Sequence, residues 1–402
     1  MKIVFFNRFF FPDPSATSQI LSDLAFHLAA EGANVHVVTS QVSGATAALE
    51  NIRGVTVHRV SRAIAGPHGL ARRALAYLAY YRNARRASRR LLDAGDIAVV
   101  KTDPPMLSAV IGPLAARRGA RVIAWMQDIF PEVAREYGVP GMAGLLGRAL
   151  RRARNRSLAG ADLVVAIGER MAERIASEGI ARNRIRVIHN WADGEAIRPL
   201  PQETNPLRTR WGLQDAFVAQ YSGNLGRVHE FETLLEAARL LRDESPMRFL
   251  VVGHGPRHAE LRSRLEDDHL ANVMLLPPVE RNALGESLGV GDVHLCVLEP
   301  RFDGLVLPSK LYGIMAAGRP VVFIGDVDGE AAALVRTAEC GMNVRSGDAA
   351  GLVAALRKLQ ADSGLREAMG RRGREAFDRR YAMSIALQHW GEVLAEAGYS
   401  RS

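Results

Sequence analysis

Short apolar runs rich in β-branched residues alternate along this chain with segments of helical periodicity. Runs this apolar predict strands that are buried on both faces, and the helical segments between them predict parallel α/β units. About thirteen strands are too many for one open sheet of ordinary size, so we expect two sheets. The runs are 2–6, 34–40, 55–60, 97–102, 121–127, 162–168, 185–190, 217–223, 248–253, 272–277, 293–299, 319–325 and 341–347.

Residues 190–206, NWADGEAIRPLPQETNP, interrupt this alternation, because they lack periodicity and contain three prolines. The sequence therefore predicts two Rossmann-like domains, over 1–190 and 207–379, with a linker over 191–206. Residues 380–402 predict a helix without a following strand, which either closes the second domain or crosses back to the first. In such sheets ligands bind beyond the carboxyl ends of the strands, so we expect an α/β protein whose two domains face each other across a cleft.

Composition is that of a globular protein, with 402 residues, 48% hydrophobic and 24% charged. The two cysteines, Cys296 and Cys340, are too few for a disulfide framework and lie in apolar segments, which predicts burial. The eleven histidines show no metal-ligand spacing. The acidic pair Asp326 and Asp328 lies in a Gly-rich turn, where aspartates serve turn chemistry, so we expect no metal site and no cofactor.

The N-terminus, MKIVFFNRFFFPDPS, does not resemble a signal peptide, because polar residues and prolines break its apolar run. No uninterrupted apolar run approaches the ~20 residues that a membrane span needs. We therefore expect a cytoplasmic protein.

The net charge of +9 is unevenly distributed. Residues 1–190 hold 27 Lys and Arg against 14 Asp and Glu, whereas residues 191–402 hold 25 against 29. Ten arginines lie in two segments, 82–90 and 148–156, without an intervening acid. This excess favours an anionic membrane surface as a partner, at the inner face of the cell membrane. Nucleic acid is disfavoured, because the aromatic platforms and groove-reading motifs that it needs are not evident.

Two Gly-rich segments follow predicted strands of the second half, YSGNLGR (221–227) and VVGHGP (251–256). Neither is the G-x-G-x-x-G or P-loop signature, which removes the main support for a dinucleotide or P-loop site. Glycines such as Gly223 and Gly253 allow the backbone to approach a ligand, and the helix that we expect to begin near Glu230 offers free N–H groups to an anion. Tight βα turns explain such glycines equally well.

Lys310 lies in the segment PSKLYGIMAAGRPVV and is one of only four lysines in the chain. Ser309 before it is a candidate N-cap, which predicts a helix that begins near the lysine. A lysine at a helix N-terminus is disfavoured by the helix dipole unless an anion binds there. A compact ammonium group suits a diphosphate, so we expect Lys310 to bind phosphate rather than to be a solvated surface lysine.

Several polar segments end strands of the first half and are expected to line the ligand-binding edge. Asp128, in WMQDIFPE, is a candidate general base or electrostatic partner, with helix capping as the alternative. KTDPPM and FFPDPSATSQ also end strands, and the latter enters a helix through predicted Ser and Thr caps. The other residues that we expect on this side are Pro14, Ser15, Thr17, Asp103 and Gln127.

The segments YSGNLGRVHEFETLLEAARLL, VVGHGP and LPSKLYGIMAAGRPVV resemble those of the retaining glycosyltransferase family 4, whose members have the GT-B fold. RVIHNWAD is similar to the family's entry into the second domain, and the last helix resembles one that crosses back to the first. WMQDIFPE and PSKLYG resemble the branch that builds cell-surface polysaccharides, including colanic-acid and fucosamine transferases. The resemblance covers nearly the whole chain and implies a nucleotide sugar in the second domain and an acceptor in the first.

The resemblance also implies roles for single residues. Where the family has an arginine and a lysine that grip the diphosphate, this chain has Asn224 and His229, with Arg227 between them as a substitute. Lys310 matches the lysine of the PSK-type members. The family's pair of glutamates would fall at Leu305 and Gly313, so neither is present. The remaining donor-side residues are expected to be Gly223, Gly253, Pro278, Val279, Ser309 and Glu330, where Glu330 matches a later family glutamate.

Many members have a histidine in the acceptor domain where this chain has Gln127, followed by Asp128. The implied activity is retaining transfer of a hexosyl or N-acetylhexosaminyl group from a nucleotide diphosphate sugar, most simply a UDP-sugar, to a glycan or lipid-linked acceptor. Lys310 would stabilise the leaving diphosphate and Asp128 would orient or deprotonate the acceptor hydroxyl. The alternatives are a nucleotide-sugar epimerase of the same fold and a non-enzymatic basic protein that binds membrane or nucleic acid.

Overall fold

The computed structural model describes residues 1–41, 47–62, 70–243 and 246–400. The chain divides into two compact units, Met1–His189 with Leu387–Ser402, and Asn190–Ala386. The segment expected to be a linker belongs to the second unit, where Trp191 and Ile197 are buried.

The first unit is built on an eight-stranded sheet with the order β3-β4-β2-β1-β5-β6-β7-β8. All seven predicted strands are present in it and pair in parallel, as their apolar runs indicated. The strands are β1 Lys2–Phe6, β2 Asn34–Gln41, β3 Leu49–Ile52, β4 Val55–Arg62, β5 Ile97–Lys101, β6 Arg121–Met126, β7 Leu163–Ala166 and β8 Ile185–Val187.

Strand β3 was not expected from the sequence. It pairs antiparallel with β4 across a tight turn in which Arg53 and Gly54 both have positive φ. Its four residues are exposed or half-buried, because the strand lies at the edge of the sheet. A strand without buried residues leaves no apolar run in the sequence.

Helices connect the parallel strands of the first unit and therefore run back along them. They are α1 Ala16–Ala30, α2 Leu70–Leu91, α3 Leu107–Arg117, α4 Glu132–Glu136, α5 Leu145–Ala159 and α6 Glu169–Ser177. Helix α3 contacts both α2 and α5, so these three helices lie side by side. Their N-termini lie at the edge of the sheet where the parallel strands end.

The second unit has a six-stranded, fully parallel sheet with the order β11-β10-β9-β12-β13-β14. All six predicted strands of the second half are present. They are β9 Phe217–Ser222, β10 Met247–Val252, β11 Val273–Leu276, β12 Val293–Val297, β13 Val321–Gly325 and β14 Gly341–Arg345.

Helices of the second unit are α7 Pro206–Arg210, α8 Glu232–Leu240, α9 His258–Asp267, α10 Leu284–Leu288, α11 Lys310–Ala316, α12 Glu330–Thr337, α13 Ala349–Ala361 and α14 Ser363–Arg380. Helix α8 begins two residues after the predicted start at Glu230. Its predicted apolar face, which includes Phe231 and Leu234, is buried in the core. Single 3-10 turns occur at Arg182–Arg184, Gln202–Thr204, Arg281–Ala283 and Pro300–Phe302.

The last helix, α15 Met383–Glu396, begins in the second unit and continues in the first from Leu387. In the first unit the Trp390 ring lies 4.5 Å from that of Trp125 and is fully buried. Arg186 Nε donates to Glu396 Oε2 over 3.0 Å at the end of the helix. The end of the chain is thus anchored in the first unit by one aromatic contact and one ion pair.

Cys296 and Cys340 are buried and unpaired, as predicted. Within the residues that the structure describes, no helix is both long and apolar enough to cross a membrane. The same residues contain no group of three or more His, Cys, Asp or Glu side chains placed to hold a metal ion.

Candidate functional site

Two glycine loops, 223–227 after β9 and 253–257 after β10, interlock at the carboxyl edge of the second sheet. The N–H of Leu225 donates to the carbonyl of His254 over 3.0 Å, and that of Arg257 donates back to the carbonyl of Leu225 over 3.1 Å. A Cβ atom on Gly253 would lie 2.0 Å from the carbonyl oxygen of Gly223. Only glycine fits at position 253, and the two loops therefore form one rigid turn.

Lys310, the first residue of α11, points at this turn. Its ammonium group donates to the Tyr221 hydroxyl over 2.6 Å and lies 3.9 Å from the centre of the Tyr221 ring. A Cβ atom on Gly223 would lie 3.4 Å from Cε of Lys310, so glycine at 223 leaves room for the lysine side chain. Burial lowers the pKa of Lys310 to about 8. The described residues give it no carboxylate partner, so this is a desolvated cation without a counter-ion.

His229, aligned with a cationic position of the resembled family, is neutral in this fold. Burial, reinforced by the charge of Lys310, lowers the pKa of His229 to about 2. Its Nδ1 accepts the N–H of Gly226 over 3.1 Å and lies 3.1 Å from the Tyr221 hydroxyl. This imidazole fixes the first glycine loop and cannot supply positive charge to a phosphate.

Three backbone N–H groups of the first glycine loop already have acceptors within the second unit. The N–H groups of Gly223 and Leu225 donate to the carbonyls of Val252 and His254, and that of Gly226 donates to His229. The bond from Leu225 joins the two glycine loops, whereas the bond from Gly226 is local to the first. Arg227 is exposed and makes no ion pair with any described residue, whereas Arg257 of the second loop pairs with Glu260. Lys310 and Arg227 are therefore the positive groups of these loops that lack an acidic partner among the described residues.

Ser309 lies at the N-cap position of α11, but its hydroxyl makes no capping hydrogen bond, so the predicted cap is wrong. The reason is its helical backbone, with φ −64° and ψ −20°, because an N-cap side chain reaches the helix N–H groups from an extended backbone.

Glu330 begins α12 and is buried, and its N–H donates to Oδ1 of Asp303 over 2.8 Å. Asn224 is exposed on the first glycine loop. Pro278 and Val279 lie in the segment after β11, the edge strand next to β10. Pro278 is exposed and Val279 is half-buried. The structure thus brings Lys310 and Gly253 into contact with Gly223. Asn224, Pro278 and Val279 lie at neighbouring strand ends, and Glu330 lies on α12.

In the first unit, polar side chains gather where β1, β5 and β6 end. Asp128 follows β6, and its Oδ1 is buried without a hydrogen-bond partner among the described residues. The hydroxyl of Thr102, which follows β5, is hydrogen-bonded to the Asp128 carboxylate. Burial raises the pKa of Asp128 to about 6, although this hydrogen bond opposes the rise. A carboxylate with such a pKa can exchange protons near neutral pH.

Lys101, the last residue of β5, was missed by the sequence analysis. Its Nζ donates to the carbonyl of Thr17 over 3.0 Å and lies 4.0 Å from the centre of the Trp125 ring. Burial lowers the pKa of Lys101 to about 7. Lys101 and Asp128 line one small cavity. The scarcity of lysine, which singled out Lys310, would have singled out Lys101 as well.

The other acceptor-side residues have mostly structural partners. Arg8 Nε donates to Oδ1 of Asp103 over 3.0 Å, and its backbone N–H donates to the Asp103 carbonyl. Pro14 is exposed, and its carbonyl accepts a hydrogen bond from Gln19. Gln127 is half-buried beside Asp128.

The predicted caps of α1 are wrong. Ser15 occupies the N-cap position, but its hydroxyl is buried and bonds to no described residue. The carbonyl of Thr17, in the first turn of the helix, instead accepts a hydrogen bond from Lys101.

Two of the ten clustered arginines are neutralised by acids from distant segments. Arg154 is buried against Glu132 at 3.0 Å, and Arg151 Nε donates to Glu178 over 2.8 Å. The expectation that the whole of 148–156 is free for an anionic partner is therefore wrong. The five arginines of 82–90 are all exposed and make no ion pair within the described part of the chain.

A cavity of about 600 Å³ in the second unit lies away from the glycine loops. Asp292 and Pro320, which line it, directly precede β12 and β13, so it lies at the amino ends of the strands. Ligands of such sheets bind at the opposite edge, and the charges that line the cavity are balanced between arginines and acids.

Two protein-family models match this chain in succession. The first, Glycosyltransferase Family 4, matches residues 18–195, and the second, Glycosyl transferases group 1, matches residues 216–362. The chain belongs to glycosyltransferase family 4. The family predicted from the strand-exit motifs is confirmed.

Two bacterial relatives carry the name of glycosyltransferases. The chain is 29% identical over 258 residues to the probable glycosyltransferase WbjE of Pseudomonas aeruginosa, covering 63% of each chain. It is 29% identical over 228 residues to the putative colanic acid biosynthesis glycosyl transferase WcaI of Escherichia coli, covering 56% of each. The matched part of this family 4 chain thus spans about six tenths of these relatives.

Solved structures share the fold of this family 4 chain. Sucrose-phosphate synthase from Thermosynechococcus elongatus superposes with a TM-score of 0.77 at 16% identity over 98% of both chains. HepE of Anabaena, solved in complex with UDP-glucose, superposes with a TM-score of 0.72 at 17% identity, covering 98% of this chain and 99% of HepE. The predicted GT-B fold class, with two Rossmann-like α/β units, is confirmed.

Proposed function

We propose that this protein transfers a glycosyl group from a UDP-sugar to a glycan or lipid-linked acceptor in surface polysaccharide biosynthesis, with retention of configuration. Membership of glycosyltransferase family 4 and the similarity to WcaI support the reaction class and the biosynthetic role. The similarity in fold to HepE, which was solved with UDP-glucose, supports a UDP-sugar as donor.

The observation that carries this proposal is the environment of Lys310. Its ammonium group is half-buried, held by Tyr221 and placed beside Gly223 at the carboxyl edge of the sheet, where ligands of such folds bind. A cation that is desolvated without a counter-ion gains most when an anion arrives. A diphosphate supplies that anion, and Arg227 at the same edge would add a second positive charge.

Lys310 would act mainly in the bond-breaking step. As the bond between the anomeric carbon and the diphosphate oxygen breaks, negative charge grows on the leaving diphosphate. A preorganised ammonium group stabilises that charge more in a partly dry site than in water. Lys310 and Arg227 would supply this field from side chains, so we expect transfer to persist when divalent cations are chelated.

The acceptor hydroxyl must lose its proton as its oxygen bonds to the anomeric carbon. Asp128 is the group that we propose for this role, because its Oδ1 accepts no hydrogen bond from a described residue and its pKa of about 6 leaves it ionised at neutral pH. Lys101 would then fix the end of β5, beside Asp128, through its contacts with Trp125 and Thr17.

The experiment is a donor panel on the full chain, in two stages. UDP-, GDP-, dTDP- and ADP-sugars are screened by thermal shift, and those that bind are incubated with lipid-linked sugars. We expect a UDP-sugar to raise the melting temperature, and product NMR to show the configuration of the donor. Lys310→Ala should lower turnover by well over tenfold.

Two outcomes would contradict the proposal. An isomerised nucleotide sugar formed without any acceptor would indicate an epimerase. Failure of every nucleotide sugar to shift the melting temperature would favour a non-enzymatic protein.

A further inference from the structure

Helix α2 presents a continuous exposed stripe of leucines followed by arginines. Leu75 and Leu78 are 67% and 61% exposed, and Arg82, Arg85 and Arg89 continue the same stripe. The spacing, i, i+3, i+7, i+10 and i+14, places these five side chains along one line of the helix. Exposed leucines cost free energy in water, so a stripe that begins with two of them is an unusual solvated face.

The opposite face of α2 is firmly packed. Tyr80 and Ala84 are fully buried, and the Tyr80 hydroxyl donates to the carbonyl of Val38 over 2.8 Å. The helix therefore presents its leucines and arginines outward with a fixed orientation.

Helix α5 repeats the pattern of α2. Leu145 is 77% exposed at its first residue, and Arg148, Arg152 and Arg156 follow at i+3, i+7 and i+11. Leu146, which is 53% exposed, lies beside the first position. Two helices from separate parts of the sequence thus present the same order of side chains, apolar at the N-terminus and basic towards the C-terminus.

The two stripes run in the same direction. Both helices lead back to the start of a parallel strand, α2 to β5 and α5 to β7, and both contact α3 between them. The leucines of both helices therefore lie at the carboxyl edge of the first sheet and the arginines at its amino edge. We call these two stripes the leucine–arginine surface.

Acids do not neutralise the leucine–arginine surface. Neither α2 nor α5 contains an Asp or Glu, and none of its arginines forms an ion pair with a described residue. The exposed arginines of α14 differ, since Arg371 pairs with Glu367 and Arg372 pairs with Glu339. On α2 and α5, by contrast, unpaired arginines lie in line with exposed leucines.

We infer that the leucine–arginine surface docks on an anionic lipid bilayer. An interfacial protein surface inserts apolar side chains at the boundary of the acyl chains and places basic ones among the headgroup phosphates, which both stripes provide. Guanidinium groups bind phosphate through two parallel hydrogen bonds, which suits lipid phosphates. A nucleic acid would use the arginines alone, and a second copy of the chain would bring like charges together.

The orientation of this surface adds to the proposed function. Lys101 ends β5 and Asp128 follows β6, so both lie at the same carboxyl edge of the first sheet as the leucines. A lipid-linked acceptor held in the bilayer would therefore approach from the apolar end of the surface. This link to the acceptor rests on the proposed function, whereas docking on lipid does not.

Vesicle sedimentation of the full chain tests the inference without any assay of transfer. Phosphatidylcholine vesicles are compared with vesicles that also contain phosphatidylglycerol. We expect the protein to bind only the anionic vesicles and to be released by salt. Replacing Arg85, Arg86 and Arg89 together by glutamine should lower the partition coefficient by tenfold or more.

The matched control replaces Arg371, Arg372 and Arg379 by glutamine, which removes the same charge from α14. These arginines lie beside carboxylates, so binding to anionic vesicles should stay near that of the wild type. Equal losses in both triple variants would overturn the inference, because net charge alone would then explain binding.

The leucines are tested separately. Leu75→Gln with Leu78→Gln should weaken vesicle binding severalfold, whereas Leu49→Gln with Leu240→Gln, at leucines exposed elsewhere, should not. Binding that is insensitive to Leu75 and Leu78 would overturn the inference. So would tighter binding to an oligonucleotide than to anionic vesicles at the same salt concentration, since it would identify nucleic acid as the partner.

Discussion

Lys310 and Lys101 are two lysines, one in each unit, of which the fold half-buries the first and fully buries the second. Burial lowers the pKa of each, to about 8 and about 7 respectively. Among the described residues, Lys101 has a carbonyl and an indole ring as partners, whereas Lys310 has the hydroxyl and ring of Tyr221. A desolvated ammonium group destabilises the folded state at pH values below the folded pKa of that group. This destabilisation is expected at a site that binds an anion.

At the residue scale, the affinity for UDP should depend on the charge of Lys310. Its folded pKa is lowered to about 8. The ammonium group is therefore mostly present at about pH 7 and mostly lost at about pH 9, so the affinity should fall about tenfold over that range. Isothermal titration calorimetry at constant ionic strength measures it.

Lys310→Arg is the control for this effect, because a guanidinium stays charged over the same range. Its affinity, whatever its absolute value, should not change with pH. A wild-type affinity that is flat to about pH 9 would remove Lys310 from the diphosphate site.

Asp128 should govern the acidic limb of the rate profile. Its pKa is raised to about 6, so turnover should fall as the carboxylate is protonated below that pH. Asp128→Asn should lower kcat by more than about tenfold and abolish the acidic limb, with the affinity for UDP unchanged. Because the folded pKa is raised, the ionised carboxylate destabilises the fold above about pH 6, and Asp128→Asn should also raise the melting temperature.

Thr102 offers an independent check on Asp128. Its hydrogen bond to the carboxylate lowers the pKa of Asp128. Thr102→Val should therefore move the acidic limb to higher pH without abolishing it. If the acidic limb of the rate profile is unchanged in both Asp128→Asn and Thr102→Val, another titrating group causes it.

At the element scale, the carboxyl edge of the second sheet depends on the two interlocked glycine loops. The sequence indicated both loops but not their mutual contact, since no local pattern shows that Gly253 faces the carbonyl of Gly223. Likewise the predicted caps at Ser15 and Ser309 failed, because capping depends on backbone angles and competing partners rather than on residue type alone. The strands were predictable, because burial on both faces leaves a continuous apolar run.

Gly253→Ala should separate the two loops, since its Cβ would lie 2.0 Å from a backbone oxygen that cannot yield cheaply. We expect a loss of stability of about 1–3 kcal/mol, as for other overpacked sites. The affinity for UDP should fall more than tenfold, because Gly223 and Lys310 lose their fixed arrangement. Urea denaturation and calorimetry measure the two effects.

Gly391→Ala is the matched control, because Gly391 is in helix α15 with open space around it. This substitution should raise stability by about 0.5–1 kcal/mol. Normal nucleotide binding in Gly253→Ala would show that the interlocked loops are not needed for the donor.

At the scale of the whole molecule, the chain returns to its first unit through α15. Trp390 contacts Trp125, a residue of β6, which is the strand that leads to Asp128. Trp390→Ala should destabilise the first unit by about 3–5 kcal/mol through the cavity that it leaves. Differential scanning calorimetry should show a lower transition temperature.

His389→Ala, at the exposed neighbouring position, should leave the transition unchanged. The affinity of Trp390→Ala for UDP should stay near that of the wild type, because Lys310 and the glycine loops belong to the other unit. A stable Trp390→Ala variant would show that the last helix does not hold the first unit together.

The sequence by itself determined the two sheets and the family, and it singled out the rare lysine at 310 as a candidate phosphate ligand, because burial periodicity and local motifs are written along the chain. Only the tertiary structure decided which charges are free. It pairs Arg151 and Arg154 with acids from distant segments, buries His229 as a neutral ring, and leaves the five arginines of 82–90 without an ion pair among the described residues. These outcomes depend on contacts between residues far apart in the chain, which set desolvation and pairing and which no local pattern encodes.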